Sequence, residues 1–179
     1  MKDWVFNLFH ERLDRSLREL LPQDPKIWVD QRKVDTGSNW KARVENALKQ
    51  SKILVAIWSP PYFRSEWCCA EWQSMVAREK TKGLTSIERP HGLVYPIVFQ
   101  DGKHFPPETT DVQSFCMKKY KHHTEVYKKS KRYIKFCERV DSIASEIETM
   151  LENNVPDWED WPIVDPVTLS EANGGLTKI

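Results

Sequence analysis

The sequence predicts an α/β fold in which an open, parallel sheet is covered by helices on both faces. The segment ILVAIW, residues 53–58, is a continuous apolar run with β-branched residues, as expected of a strand buried on both sides. Elsewhere apolar residues recur at three- and four-residue steps, which is the spacing of an amphipathic helix. The two kinds of segment alternate along the chain, so we expect crossover connections between parallel strands.

The chain before this strand contains two predicted helices and one predicted short strand. Residues 3–21 place their leucines, valine and phenylalanine on one helical face, and Pro22 ends the pattern. KIWVD, residues 26–30, predicts a short strand that ends at an aspartate. The polar QRKVDTGSN, residues 31–39, predicts a loop, in which Ser38 can cap the second helix.

The chain after this strand predicts two more helices and one more strand. Two prolines in SPPYF turn the chain, because proline cannot continue a central ladder, and a helix is predicted over 65–79. LVYPIVF, residues 93–99, predicts a strand whose ladder is incomplete at Pro96. A long final helix is predicted over 130–152.

Length and composition fit one compact domain. The chain has 179 residues, of which 40% are hydrophobic. We assign residues 1–152 to this domain. Residues 153–179 are rich in proline, glycine and acidic residues, and we predict that they form a linker or a flexible tail.

Charge and apolar patterning exclude several classes of protein. The 27 lysines and arginines nearly balance the 26 aspartates and glutamates, so the net charge of +1 favours neither nucleic acid nor an anionic membrane as a partner. No apolar run approaches the ~20 residues of a membrane span, and the amphipathic N-terminus is unlike a signal peptide. We therefore expect a cytoplasmic protein whose four cysteines are reduced.

Glu71 is unusual because it lies among aromatic and thiol side chains in SEWCCAEW. On a helix, Trp72 and Met75 share a sector that we expect to be buried, and Trp67 lies in a neighbouring sector. Glu71 falls between the two sectors, one turn after Trp67, so we expect it to be half-buried. The alternative is that Glu71 only favours the positive end of the helix dipole, and the spacing does not decide between the two.

These segments together resemble the Toll/interleukin-1 receptor (TIR) domain, particularly its bacterial members. The resemblance covers roughly residues 2–152, and its most specific part is the Ser-x-Trp-Cys-x-x-Glu string that follows the 53–58 strand. The other matching residues are Asp30, Gly37, Trp40, Ser51, Ser59 and Pro60.

The resemblance implies the flavodoxin-like TIR fold, in which a parallel sheet has helices on both faces. TIR domains begin with a central strand, whereas this chain starts at the helix that follows that strand. We therefore expect the first strand to be absent from this chain. Because residues at its end normally wall the nucleotide pocket, we expect activity to depend on it.

The resemblance also implies an activity. Many bacterial TIR domains cleave NAD⁺ at the nicotinamide–ribose bond, which gives ADP-ribose or a cyclic variant, and the glutamate that matches Glu71 is their essential residue. By this resemblance Glu71 is catalytic, Trp67 and Asp30 bind the substrate, and no metal or cofactor is needed because NAD⁺ is the substrate. Self-association through loop 31–39 and a role as a bacterial defence or signalling effector are implied as well.

Two alternatives come from other classes of function. The chain can be a non-enzymatic TIR scaffold that acts through TIR–TIR contacts. The basic, tyrosine-containing stretch at 118–135 can instead bind phosphate backbones, although a solvated surface explains it more simply. The histidines lack metal-ligand spacing with any cysteine, and no glycine-rich nucleotide motif is present.

Overall fold

A computed structural model of the chain describes residues 1–29, 40–84, 92–100, 102, 105–110, 112–122, 124–155 and 163–164. The first helix, α1, runs through three consecutive segments, Lys2–Trp4, Val5–His10 in π-helical form, and Glu11–Leu20. It confirms the helix predicted at 3–21.

Helices precede, separate and follow the first two strands after α1, as predicted. Their bounds are α2 Trp40–Gln50, β1 Leu54–Trp58, the single-turn α3 Pro60–Phe63, α4 Glu66–Lys82, β2 Val94–Val98, β3 Phe115–Cys116, the single-turn α5 Glu125–Lys128 and α6 Lys131–Asn154. Short 3₁₀ turns lie at Pro107–Thr109 and Lys118–Tyr120. Within the described ranges, no helix combines the length and apolar composition that crossing a bilayer requires.

The described strands form one parallel sheet in the order β1-β2-β3. The pairing of β1 with β2 places Leu54 beside Val94 and Trp58 beside Val98. The short β3 pairs with Ile97 and Val98 only, just beyond Pro96, the residue that lacks an N–H donor. The parallel sheet is therefore confirmed, whereas the pairing of β1 with β2 continues through Pro96, which lies beside Ala56.

The strand predicted at 26–30 is wrong over residues 26–29, where the structure has no strand. Ile27 packs against the main core, but Trp28 is 43% exposed. A strand exists only where a neighbour completes its hydrogen bonds, and none of the described strands pairs with this segment. Asp30 and the loop 31–39 lie outside the described residues.

Apolar side chains cover both faces of the sheet, as predicted. On one face, α1 and α6 enclose the largest core cluster, which includes Tyr95, Ile97 and Phe99. On the other face, α2 and α4 cover Leu54, Ala56 and Trp58. Alternate residues of each strand thus point to opposite cores, as the pleat requires.

Two serines begin the helices that matter most for the site and for the core. Ser65 precedes α4 and its Oγ accepts the Cys68 N–H at 3.4 Å, whereas Gly83 ends α4 in a left-handed conformation with φ 59°. Ser130 caps α6 in the same way, accepting the Tyr133 N–H at 3.3 Å. The predicted helices at 65–79 and 130–152 are confirmed.

Candidate functional site

The carboxyl edge of the sheet is the place where ligands bind in open parallel sheets. At this edge β1 ends at Trp58, and the chain continues through the fully buried Ser59, whose Oγ donates to Met1 Sδ at 3.4 Å. Trp4 Nε1 donates to the Tyr120 carbonyl at 2.7 Å. The start of α1 and the segment after β3 therefore meet beside the end of β1.

The corner 59–65 sets the position at which α4 begins. The Tyr62 N–H donates to the Ser59 carbonyl at 2.9 Å, and the Ser65 N–H donates to the Tyr62 carbonyl at 3.1 Å. Cys69 Sγ donates to the Phe63 carbonyl at 3.5 Å. These bonds fix the first turn of α4 to the carboxyl end of β1.

Trp67 and Glu71 lie one turn apart on the same side of α4, and both are half-buried, as predicted. Glu71 is the sixth residue of the helix, whereas the exposed Glu66 occupies the first turn. Because the helix dipole acts mainly within the first turn, it gives Glu71 little stabilisation. The dipole therefore does not explain why a carboxylate stands at position 71.

The sector beside Glu71 is more buried than predicted. Ser74, Met75 and Arg78 continue the line of Glu71 at steps of three, four and seven residues, and all three are 0% exposed. Glu71 therefore does not separate a buried sector from a more open one. It lies at the N-terminal end of a buried stripe of α4, near the carboxyl edge of the sheet.

Arg78 brings a buried positive charge to this stripe. Its Nη1 donates to the carbonyl of Leu48 at 2.9 Å and lies 3.5 Å from that of Ser51, so that it caps the end of α2. Burial lowers the pKa of Arg78 to about 10. Two turns of helix, about 10 Å, separate Arg78 from Glu71 along the axis of α4.

A family profile described as "TIR domain" matches residues 9–129, which is more than half of the chain. This chain belongs to the TIR domain family. The sequence resemblance to this family is thereby confirmed, while its assignment to the bacterial type stays a prediction.

A curated relative from Brachypodium distachyon is named "Probable 2' cyclic ADP-D-ribose synthase BdTIR". It is 26% identical to this TIR domain over 98 residues, which are 53% of this chain and 43% of the relative. The match thus spans less than half of the relative's length. No solved structure matches the chain significantly.

Around the end of β1 the TIR domain carries a cluster of five aromatic rings. Phe63 lies at its centre, with ring centroids 4.6–5.9 Å from the four others. Those four rings belong to Trp58, Tyr62, Trp72 and Phe105. The cluster packs α3 and α4 on the sheet and so supports the helix that carries Trp67 and Glu71.

Sequence reasoning missed three polar residues of this region, Tyr62, Ser74 and Arg78. Tyr62 was visible only as part of a turn, and helical spacing places Ser74 and Arg78 in the sector of Trp67, beside the one that was expected to be buried. Asp30, the third predicted site residue, lies outside the described part of the chain. The described part holds no group of three His, Cys, Asp or Glu side chains that could share a metal ion.

Chemically, this edge offers a half-buried carboxylate beside an indole. A carboxylate in such a place can stabilise positive charge that develops on a sugar during bond cleavage. The indole offers a flat apolar wall for a base or a sugar ring. The arrangement is suited to a reaction whose transition state is cationic.

Proposed function

We propose that this TIR domain cleaves NAD⁺ at the nicotinamide–ribose bond and that Glu71 is the catalytic carboxylate. The single observation that carries the proposal is the placement of Glu71, which is half-buried at the carboxyl edge of the sheet and beyond the first turn of α4. Family membership supports the same chemistry, as does the name of the relative, "Probable 2' cyclic ADP-D-ribose synthase BdTIR".

The physical basis of the proposed reaction is electrostatic. Nicotinamide leaves as a neutral molecule, and the ribose acquires positive charge as the bond breaks. A fixed carboxylate lowers the energy of that oxocarbenium-like state. Water then attacks the sugar to give ADP-ribose, or a group of the substrate itself attacks to give a cyclic product. Trp67 forms a wall of the pocket in this proposal, and Asp30 a second contact with the substrate.

The decisive experiment compares Glu71→Gln with the parent chain and follows nicotinamide release from NAD⁺. Glutamine keeps the shape of the side chain but removes its charge, so we expect the rate to fall by ~10²–10³. Glu66→Gln is the matched control, because it removes the same charge from the same helix at an exposed position. We expect this control to retain the parent rate.

A Glu71→Gln variant as active as the parent would contradict the catalytic role. A parent that releases no nicotinamide would instead favour the second candidate, a non-enzymatic scaffold, and both variants should then assemble like the parent in size-exclusion chromatography.

Self-association belongs to the proposal as well. Clustering has a direct kinetic signature, because activity per molecule should rise with protein concentration or on fusion to an oligomeric partner. The predicted contact loop 31–39 lies outside the described residues. A role in bacterial defence or signalling remains a prediction.

A further inference from the structure

Two buried hydrogen-bond donors at the carboxyl end of β1 have no acceptor among the described residues. They are the hydroxyl of Tyr62, a residue 9% exposed, and the indole N–H of Trp58, a residue 1% exposed. Buried polar groups are nearly always paired, and each exception calls for an explanation. Both donors belong to the aromatic cluster that supports α4.

Tyr62 is the donor that lies in the corner 59–65, which leads directly into α4. Its backbone is fixed by the bonds to Ser59 and Ser65, and its ring packs in the same cluster as Cys68 and Trp72. Those two residues flank the position of Glu71 on α4, at steps of three and one. The hydroxyl is therefore held against the part of α4 that carries the carboxylate.

The phenol of Tyr62 remains a donor at all physiological pH values. Burial raises the pKa of Tyr62 well above its ordinary value, and the nearby Cys68, Glu71 and Cys69 raise it further. Glu71, when ionised, is only an acceptor. A neutral donor and an acceptor thus stand within electrostatic range of each other at one edge of the sheet.

We propose that Tyr62 is a positioning residue for Glu71, and that its hydroxyl donates a hydrogen bond to the Glu71 carboxylate when substrate occupies the site. This inference rests on the proposed NAD⁺ cleavage. The bond fixes the orientation of the carboxylate toward the ribose, and fixed orientation contributes strongly to rate. It also explains the presence of a buried hydroxyl that has no hydrogen-bond partner among the described residues.

The test is the variant Tyr62→Phe, which removes the hydroxyl and leaves the ring. If Tyr62 only packs, phenylalanine should serve equally well, because an unpaired buried hydroxyl destabilises the fold. We expect a melting temperature equal to or above that of the parent, together with a kcat about ten- to hundredfold lower and an unchanged KM, as for the loss of a hydrogen bond to a charged group.

The matched control is Tyr127→Phe. Tyr127 is 7% exposed, its hydroxyl also lacks a partner among the described residues, and it lies in the opposite core against Phe136. Its replacement should match the effect of Tyr62→Phe on stability and leave kcat unchanged. The pair therefore separates the removal of a buried hydroxyl from the loss of a bond to Glu71.

Each outcome decides one question. An active parent with an equally active Tyr62→Phe variant overturns the role of Tyr62 and leaves the proposed function intact. A lower kcat in both tyrosine variants also overturns it, because the effect is then not local to Glu71. A parent that releases no nicotinamide even when clustered refutes the proposed function, and the role of Tyr62 with it.

Discussion

Replacing Asp141 with asparagine should weaken the junction between α1 and α6, and should do so only while the native carboxylate is ionised. Asp141 Oδ1 accepts from Arg12 Nε at 2.8 Å and from Ser16 Oγ at 2.6 Å, and Oδ2 accepts from Arg12 Nη2 at 2.5 Å. One carboxylate thus receives three hydrogen bonds that join the two helices.

The expected loss is moderate because the pair is partly exposed. A hydrogen bond to a charged group contributes about 1.5–3 kcal/mol when well protected. The Arg12 and Asp141 side chains are 26% and 40% exposed, so solvent screening reduces the expected loss to roughly 1–2 kcal/mol. For a chain of this length, that corresponds to a melting temperature lower by about 2–8 °C.

The pH dependence follows from the pKa of Asp141. Burial raises this pKa, but the bonds from Arg12 and Ser16 and the charge of Arg12 outweigh burial, so the pKa lies below its ordinary value. The stabilisation is therefore complete above the unfolded-state pKa, near 3.8, and is lost as the pH falls through the lower folded-state pKa.

Urea unfolding at pH 7 and pH 3 measures both effects. The difference in unfolding free energy between parent and variant should be largest at pH 7 and should shrink at pH 3. Asp14→Asn is the control, since Asp14 pairs with Arg18 within α1 only, and an exposed pair of this kind contributes about 0.5 kcal/mol or less. An equal difference at both pH values would refute the reasoning.

Two further substitutions test contacts that hold α4 to its surroundings. Gly92→Ala would bring a Cβ into steric conflict with Glu79 Oε1, which accepts the Leu93 N–H, so we expect the unfolding free energy to fall by about 1–3 kcal/mol. An unchanged melting temperature would show that the carboxylate moves aside freely. Ser74→Ala removes the acceptor of the Val164 N–H, 2.9 Å away, and should cost about 0.5–1.5 kcal/mol and speed hydrogen exchange at that amide. Unaltered exchange would contradict the contact.

The long helices were predictable because their evidence is local. Apolar residues at three- and four-residue steps define α1 and α6 without reference to any other segment, and a proline or serine marks a boundary of each. The buried strand β1 was predictable for the same reason. Its six-residue apolar run is flanked by polar residues and prolines.

The strands that were misjudged depend on distant partners. KIWVD has the composition of a strand, yet Ile27 buries its side chain without a ladder, and Trp28 stays exposed. In contrast, Phe115 and Cys116 form β3 with only two residues, too few for any periodicity. A ladder is a property of two segments, so one segment's pattern predicts it poorly.

The burial of the stripe below Glu71 was missed for a related reason. Serine and arginine are usually exposed, so nothing in the sequence of α4 predicts that Ser74 and Arg78 are buried. Arg78 can be buried because carbonyls at the end of α2, about thirty residues earlier, accept from its guanidinium. Ser74 can be buried because Val164, ninety residues later, donates to it. A local sequence pattern cannot reveal partners that lie so far away along the chain.

These remote partners have a consequence for Glu71. The segment 163–164 and the end of α2 contact α4 on the same stripe as Glu71, one turn and two turns after it, respectively. The hydrogen bonds of the corner 59–65 fix the N-terminal end of the helix. The backbone of α4 is therefore held in place both before and after Glu71. A carboxylate that stabilises a cationic transition state needs such fixed placement, because a shift of about 1 Å can cost two orders of magnitude in rate. The buried polar residues Ser74 and Arg78 thus hold in place the helix that carries Glu71.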